Sequence, residues 1–105
     1  MAAVADGFDW DIANRQKCQK HGLSIDEIEF VVGHAETLIV HDEKNSKSET
    51  RFIAIGRTRQ GRFAFVAFTP RQHGNTVLLR PISARYMHKK EIARYEKESS
   101  ALQKR

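Results

Sequence analysis

The spacing of hydrophobic residues changes along the chain from helical, to alternating, and back to helical. Residues 12–20, IANRQKCQK, contain no Gly, no Pro and no β-branched residue after Ile12. That predicts a short, mostly exposed helix with Asp11 as N-cap, stopped at Gly22, with Lys20 and His21 near the terminus that favours positive charge. Ser24 and Glu27 form a capping box for a second helix, on which Ile25, Ile28 and Val32 share one face. Ahead of both, Phe8-Asp9-Trp10 reads either as a short edge strand or as a docking segment.

From residue 37 the pattern is that of strands. TLIV (37–40) is one, and HDEKNSKSE (41–49) is a polar loop. RFIAIGR and GRFAFVAF make a β-hairpin through a turn at Thr58–Gly61, with Gly61 supplying the turn conformation. GRFAFVAF is apolar on both faces and is expected at the centre of the sheet. TPRQHGN is read as the next turn and VLLRPIS as the last strand, with Pro81 near a strand end or on an edge because it has no amide to donate. From about Ser83 onward the spacing predicts a helix with Tyr86, Ile92, Ala93 and Tyr95 inward and Lys89, Lys90, Arg94 and Lys97 outward. The expected architecture is α+β: two short N-terminal helices, an antiparallel sheet of about four strands and a C-terminal helix. Residues 1–105 are expected to form one domain, with 1–7 and 98–105 as flexible ends.

Composition narrows the class. The chain is 40% hydrophobic and 30% charged, as a water-soluble globular protein would be. No apolar run approaches the roughly 20 residues of a membrane span. The first ten residues, MAAVADGFDW, carry no positive charge before their apolar patch and do not read as a secretory signal. A single cysteine, Cys18, forms no disulfide framework, which suits a reducing cytoplasm. The net charge of +5 conceals a division: residues 1–50 hold five Lys+Arg against ten Asp+Glu, and residues 51–105 hold thirteen against three. One folded domain would then carry an acidic region and a strongly basic one, the footprint of either a phosphate-rich partner or an acidic protein.

Several chemistries find no support. Cys18 and His21 are three apart on a predicted helix, but no second Cys/His pair exists at zinc spacing, and Cys18 reads as an ordinary helix residue. There is no Walker loop, no GxGxxG and no serine in a nucleophile elbow. What remains is a set of arginines, Arg51, Arg57, Arg71, Arg80 and Arg85, with His21 and Glu49. Arg51 would project with Ile53 and Ile55 by the period of two. Arg80 interrupts an apolar strand, and an unpaired buried guanidinium costs several kcal/mol or more. Two readings therefore stay open for it: an ion pair with Glu49 or another acid of the N-terminal half, or membership of a concave basic site.

Four ordered blocks add a resemblance: F-x-W-D (Phe8, Trp10, Asp11), K-H-G (Lys20, His21, Gly22), E-x-R-F (Glu49, Arg51, Phe52) and R-x-I-S-A-R (Arg80, Ile82, Ser83, Ala84, Arg85). With them, residues 8–97 resemble the BrnT family of bacterial toxins. The resemblance implies a RelE-like fold and a cofactor-free, metal-independent ribonuclease that arrests translation. It also implies a BrnA-type antitoxin with a ribbon-helix-helix domain, which caps the toxin and brings it to operator DNA. Two positions depart from the family pattern: Lys17 stands where an asparagine is usual, and Ile12 where a proline is usual.

On that resemblance, RNA cleavage by its own 2′-hydroxyl needs a base, an acid and cations beside the phosphorane. Arg51, Arg80 and Arg85 are the cation candidates, because the guanidinium grips two phosphate oxygens and stays protonated. His21 or Glu49 is the candidate base. Lys20, Arg57, Arg71, Tyr86, Lys89 and Lys90 are expected to contact RNA, and no metal ligand is expected. A second hypothesis uses the same surface without catalysis, as a basic module that holds nucleic acid or the antitoxin.

Overall fold

The computed structural model describes the backbone of residues 5–103 and the side chains of residues 5–98. Its elements are β1 (Gly7–Phe8), α1 (Ile12–Gln19), α2 (Ile25–Gly33), β2 (Leu38–His41), β3 (Phe52–Arg57), β4 (Phe63–His73), β5 (Thr76–Tyr86) and α3 (Lys89–Gln103). A 3-10 turn at Glu43–Asn45 interrupts the polar loop between β2 and β3. The strands form one sheet in the order β1-β5-β4-β3-β2. The α+β expectation is met, with five strands rather than about four. The additional strand is β1, which joins β5 in parallel through Gly7↔Leu78 and Phe8↔Leu79.

Both N-terminal helices begin at capping boxes. Asp11 accepts from the Asn14 amide while the Asn14 side chain accepts from the Asp11 amide, and Ser24 and Glu27 do the same for α2. Helix α1 is mostly exposed and buries only Asn14 and Cys18, one turn apart. Helix α2 buries Ile28, Val31 and Val32. These meet Ala54, Ala64, Val66, Phe68, Leu79 and Ala84 of the sheet, so the core lies between the sheet and α1 and α2. Strand β4 is central, as its two apolar faces predict.

Three boundaries differ from expectation. Residues 69–73 are strand, leaving only Gly74 and Asn75 as the turn, with Gly74 at φ +62°. Ser83–Tyr86 continue β5, paired to Ala67, Val66, Phe65 and Ala64, and the terminal helix starts only at Lys89. On α3, Ile92 and Tyr95 are half-buried and Ala93 is exposed. Pro81 sits beside a bulge in the β4–β5 ladder, past the end of β1 pairing, where β5 is an edge. Of the ends expected to be flexible, residues 1–4 and 104–105 lie outside the described residues. Gly7 pairs in β1, and residues 98–103 belong to α3.

Candidate functional site

The period of two sends Ala54, Ala64, Val66 and Ala84 into the core and Arg51, Ile53, Phe65, Ala67, Ser83 and Arg85 to the opposite face. Register lines these up in rows, Ile53–Ala67–Ser83 and Ile55–Phe65–Arg85. A depression of about 480 Å³ opens there. Ile53, Phe65 and Ala67 form its floor, and His21, Asp42, Asn45, Arg51 and Arg85 stand at its rim. A smaller depression of about 200 Å³ adjoins it, lined by Lys17, Glu49, Arg51, Arg71 and Arg80. Arg51 lines both. The fold therefore gathers His21, Glu49, Arg51, Arg71, Arg80 and Arg85 around one continuous surface.

Most of those cations hold a carboxylate. Arg80 donates to Asp11 at 2.8 Å and lies 3.6 Å from Asp9, with 18% of its side chain exposed. This answers the question of the arginine in an apolar strand: its partners are acids of the N-terminal half, and Glu49 is not among them. Asp11 is held below the ordinary carboxylate range, first by the Asn14 amide and then by Arg80. Glu49 instead meets Arg71, with Nη2 donating at 3.2 Å. Arg85 makes a fork to Glu91 at 2.9 and 2.8 Å and lies 4.6 Å from the Phe65 ring centroid. Hydrogen bonds from Arg85, and next from the His88 amide, pull the Glu91 carboxyl down to about 2. Arg51 differs. Its backbone amide donates to Ser46 Oγ at 2.9 Å, but its guanidinium has no ion pair among the described residues.

The other sequence candidates lie elsewhere. Tyr86 belongs to the helix-covered side: its hydroxyl donates to Glu27 at 3.2 Å and the Arg62 guanidinium rests 3.4 Å from its ring centroid. Burial, then the Glu27 charge, raises the Tyr86 phenol above its usual range. Arg57 is at the far end of β3, about 20 Å from Arg51 at roughly 3.3 Å per residue, above the Phe63 ring. Lys20 is exposed at the end of α1, and Lys89 and Lys90 are exposed at the start of α3. Cys18 is fully buried, and that burial pushes its thiol up to about 11, so it is not a nucleophile. Among the described residues no group of three or more His, Cys, Asp or Glu is placed to hold a metal ion.

Sequence reasoning missed Asn14. It is 5% exposed and donates through Nδ2 to the carbonyls of Asp9 and Pro81 at 3.0 and 2.9 Å. It thereby ties the acids that hold Arg80 to the edge of β5. The available signal was Asn at the third position after an Asp cap, the residue type that returns a bond to the cap amide.

The family model for the ribonuclease toxin, BrnT, of type II toxin-antitoxin systems matches residues 10–91. The chain belongs to the BrnT family. The matched span holds His21, Glu49, Arg51, Arg71, Arg80 and Arg85, the residues the fold gathers around the two depressions. BrnT proteins are ribonuclease toxins, so RNA is the substrate class and an antitoxin the regulating partner. No curated protein matches the chain. Among the described residues no helix is long and apolar enough to cross a membrane.

Proposed function

We propose that this BrnT protein is a metal-independent endoribonuclease whose reacting phosphate sits at Arg51. The observation that carries the reading is the unpaired Arg51 guanidinium at the junction of the two depressions, with His21 on the rim of the larger. The 2′-oxygen forms a bond to phosphorus as the bond to the 5′-oxygen breaks, leaving a 2′,3′-cyclic phosphate and a free 5′-hydroxyl. Arg51 takes the charge that grows on the phosphorane oxygens, which the ground-state phosphate carries less of. His21 accepts the 2′-hydroxyl proton, and water protonates the departing 5′-oxygen. Glu49, already engaged by Arg71, orients that arginine toward the RNA backbone instead of acting as base. Arg85, fixed by Glu91 against Phe65, adds positive potential at the rim.

In this reading the protein works in the cytoplasm on a RelE-like scaffold and arrests translation. A BrnA-type ribbon-helix-helix antitoxin covers the groove and links the toxin to operator DNA. The test is cleavage of end-labelled RNA in EDTA by the wild type and by Arg51→Ala, with folding checked by circular dichroism. Discrete products with cyclic-phosphate ends are expected from the wild type, and a rate lower by about 100-fold or more from the variant, the loss typical of one oxyanion donor. Activity that vanishes in EDTA and returns with Mg²⁺ would overturn metal independence. Intact RNA that still binds would leave a non-catalytic module.

A further inference from the structure

Arg57, one of the arginines singled out in the sequence, takes no part in the groove at Arg51. It lines a different depression of about 480 Å³ at the opposite end of β3. Arg57 and Arg59 lie there with their guanidinium carbons 4.5 Å from the Phe63 and Phe30 ring centroids. Phe63 in turn meets Tyr95 of α3 with ring centroids 5.5 Å apart. Neither arginine has an ion pair among the described residues, unlike Arg71, Arg80 and Arg85. A guanidinium that rests over an aromatic ring and holds no carboxylate keeps its N–H donors free. That is a ready platform for a nucleobase, which stacks on guanidinium and aromatic planes alike. Glu36 and Glu96 also line the depression and can accept from a base's exocyclic amino group.

The two ends are joined. Arg51, Ile53, Ile55 and Arg57 share one face by the strand period, and Phe65 and Phe63 flank Ile55 and Arg57 in register. An apolar strip thus runs from the cation at the reacting phosphate to the aromatic depression, over about 20 Å of strand. The geometry points to a second RNA subsite at Arg57, Arg59, Phe63 and Tyr95, which takes an unpaired base of the strand whose phosphate reacts at Arg51. This inference rests on the ribonuclease reading and extends it: the substrate is single-stranded and must reach along β3 beyond the cleaved bond.

The test uses 2′-O-methyl RNA, which binds but cannot be cleaved by its own 2′-oxygen. A trinucleotide fills only the groove. An oligonucleotide of about 12 residues, within the roughly 4–16 nucleotide footprints of small single-strand binders, reaches both sites. Binding of each is measured by fluorescence anisotropy for the wild type, for Arg57→Gln with Arg59→Gln, and for Tyr95→Leu, whose melting temperatures are recorded alongside. The longer oligonucleotide is expected to lose about tenfold or more in affinity with either variant, the size of one lost base stack. Trinucleotide affinity should stay at the wild-type level. Equal affinity of wild type and both variants for the longer RNA would overturn the inference while leaving the ribonuclease reading intact. Failure of the wild type to bind either RNA would overturn the ribonuclease reading and the inference together. Unchanged RNA affinity with altered sedimentation of the protein would assign the depression to contact between copies and also overturn it.

Discussion

Asn14→Ala is expected to be the most damaging single substitution on the N-terminal helix, although α1 is largely exposed. The Asn14 side chain accepts from the Asp11 amide at 2.7 Å and donates to the Asp9 and Pro81 carbonyls at 3.0 and 2.9 Å. Each such bond contributes about 0.5–1.5 kcal/mol net, and a buried carbonyl left without its donor costs about 1–3 kcal/mol. Pro81 is buried, so water does not readily replace the lost partner. Against this, alanine is the better helix former by a few tenths of a kcal/mol. The sum is a destabilisation of about 2–4 kcal/mol. For a domain of this size that lowers the melting temperature by about 8–32 °C, at roughly 4–8 °C per kcal/mol. Urea unfolding followed by far-UV circular dichroism measures it directly. Asn14→Asp serves as the control: it keeps the acceptor for the cap amide but turns a charge toward two carbonyls, and should be no better than alanine. A loss below about 1 kcal/mol for Asn14→Ala would refute the claim that this side chain fastens the Asp9–Asp11 segment to β5.

The remaining expectations are narrower. Gly56→Ala places a Cβ onto the Thr37 hydroxyl and 3.2 Å from its Cβ, displacing the hydroxyl from its 2.6 Å bond to the Val31 carbonyl; thermal melts should show a loss of about 1–3 kcal/mol, as for other overpacked sites. Glu91 is depressed from 4.5 to about 2 in the folded state, so its contribution is fully present above 4.5 and is lost as pH falls toward 2; the urea midpoint should drop in that window, and less so in Glu91→Gln. Cys18 runs the other way: raised from 9.0 to about 11, it stabilises the fold below 9 and that stability fades as pH climbs toward 11. Its buried thiol should stay unmodified by a maleimide in the native protein and react once urea unfolds it. Glu49→Gln should leave most RNA cleavage intact, since the amide oxygen still accepts from Arg71; a loss as large as that of Arg51→Ala would make Glu49 the base.

The parts of the fold written in local chemistry were legible. Ser24 with Glu27, Asp11 ahead of α1, and the Gly61 turn between β3 and β4 each act through bonds spanning three or four residues. The misread stretches follow from the opposite situation. Pro70 and the Gly74-Asn75 pair look like one long turn because local rules treat proline as a breaker; Pro81, expected near a strand end or on an edge, does lie on an edge. Here β3 pairs with β4 only as far as Phe68 and β1 pairs with β5 only as far as Leu79. Both prolines therefore sit where a neighbouring strand is missing on one side, and a missing amide need not break a ladder there. Ser83–Tyr86 can satisfy either period in isolation; pairing with Ala64–Ala67, distant in sequence, decides for strand.

For the site, residue types were legible and charge pairing was not. Arg51, Arg71, Arg80 and Arg85 all looked alike in the sequence, each a cation on or beside a strand. Tertiary contacts separate them, giving Arg71 to Glu49, Arg80 to Asp9 and Asp11, and Arg85 to Glu91, and leaving Arg51 without an acid. An arginine that already holds a carboxylate offers an incoming phosphate a smaller net field, and engaging it means breaking or sharing that bond. Its plane and position are fixed in return, which suits a residue that must orient RNA more than one that must neutralise a growing charge. The acidic half of the chain thus does more than balance the basic half. It occupies Arg71 and Arg80, Glu91 of the basic half occupies Arg85, and Arg51 is left as the one of the four without an acid, so the groove should favour the doubly charged phosphorane over the singly charged phosphate that precedes it.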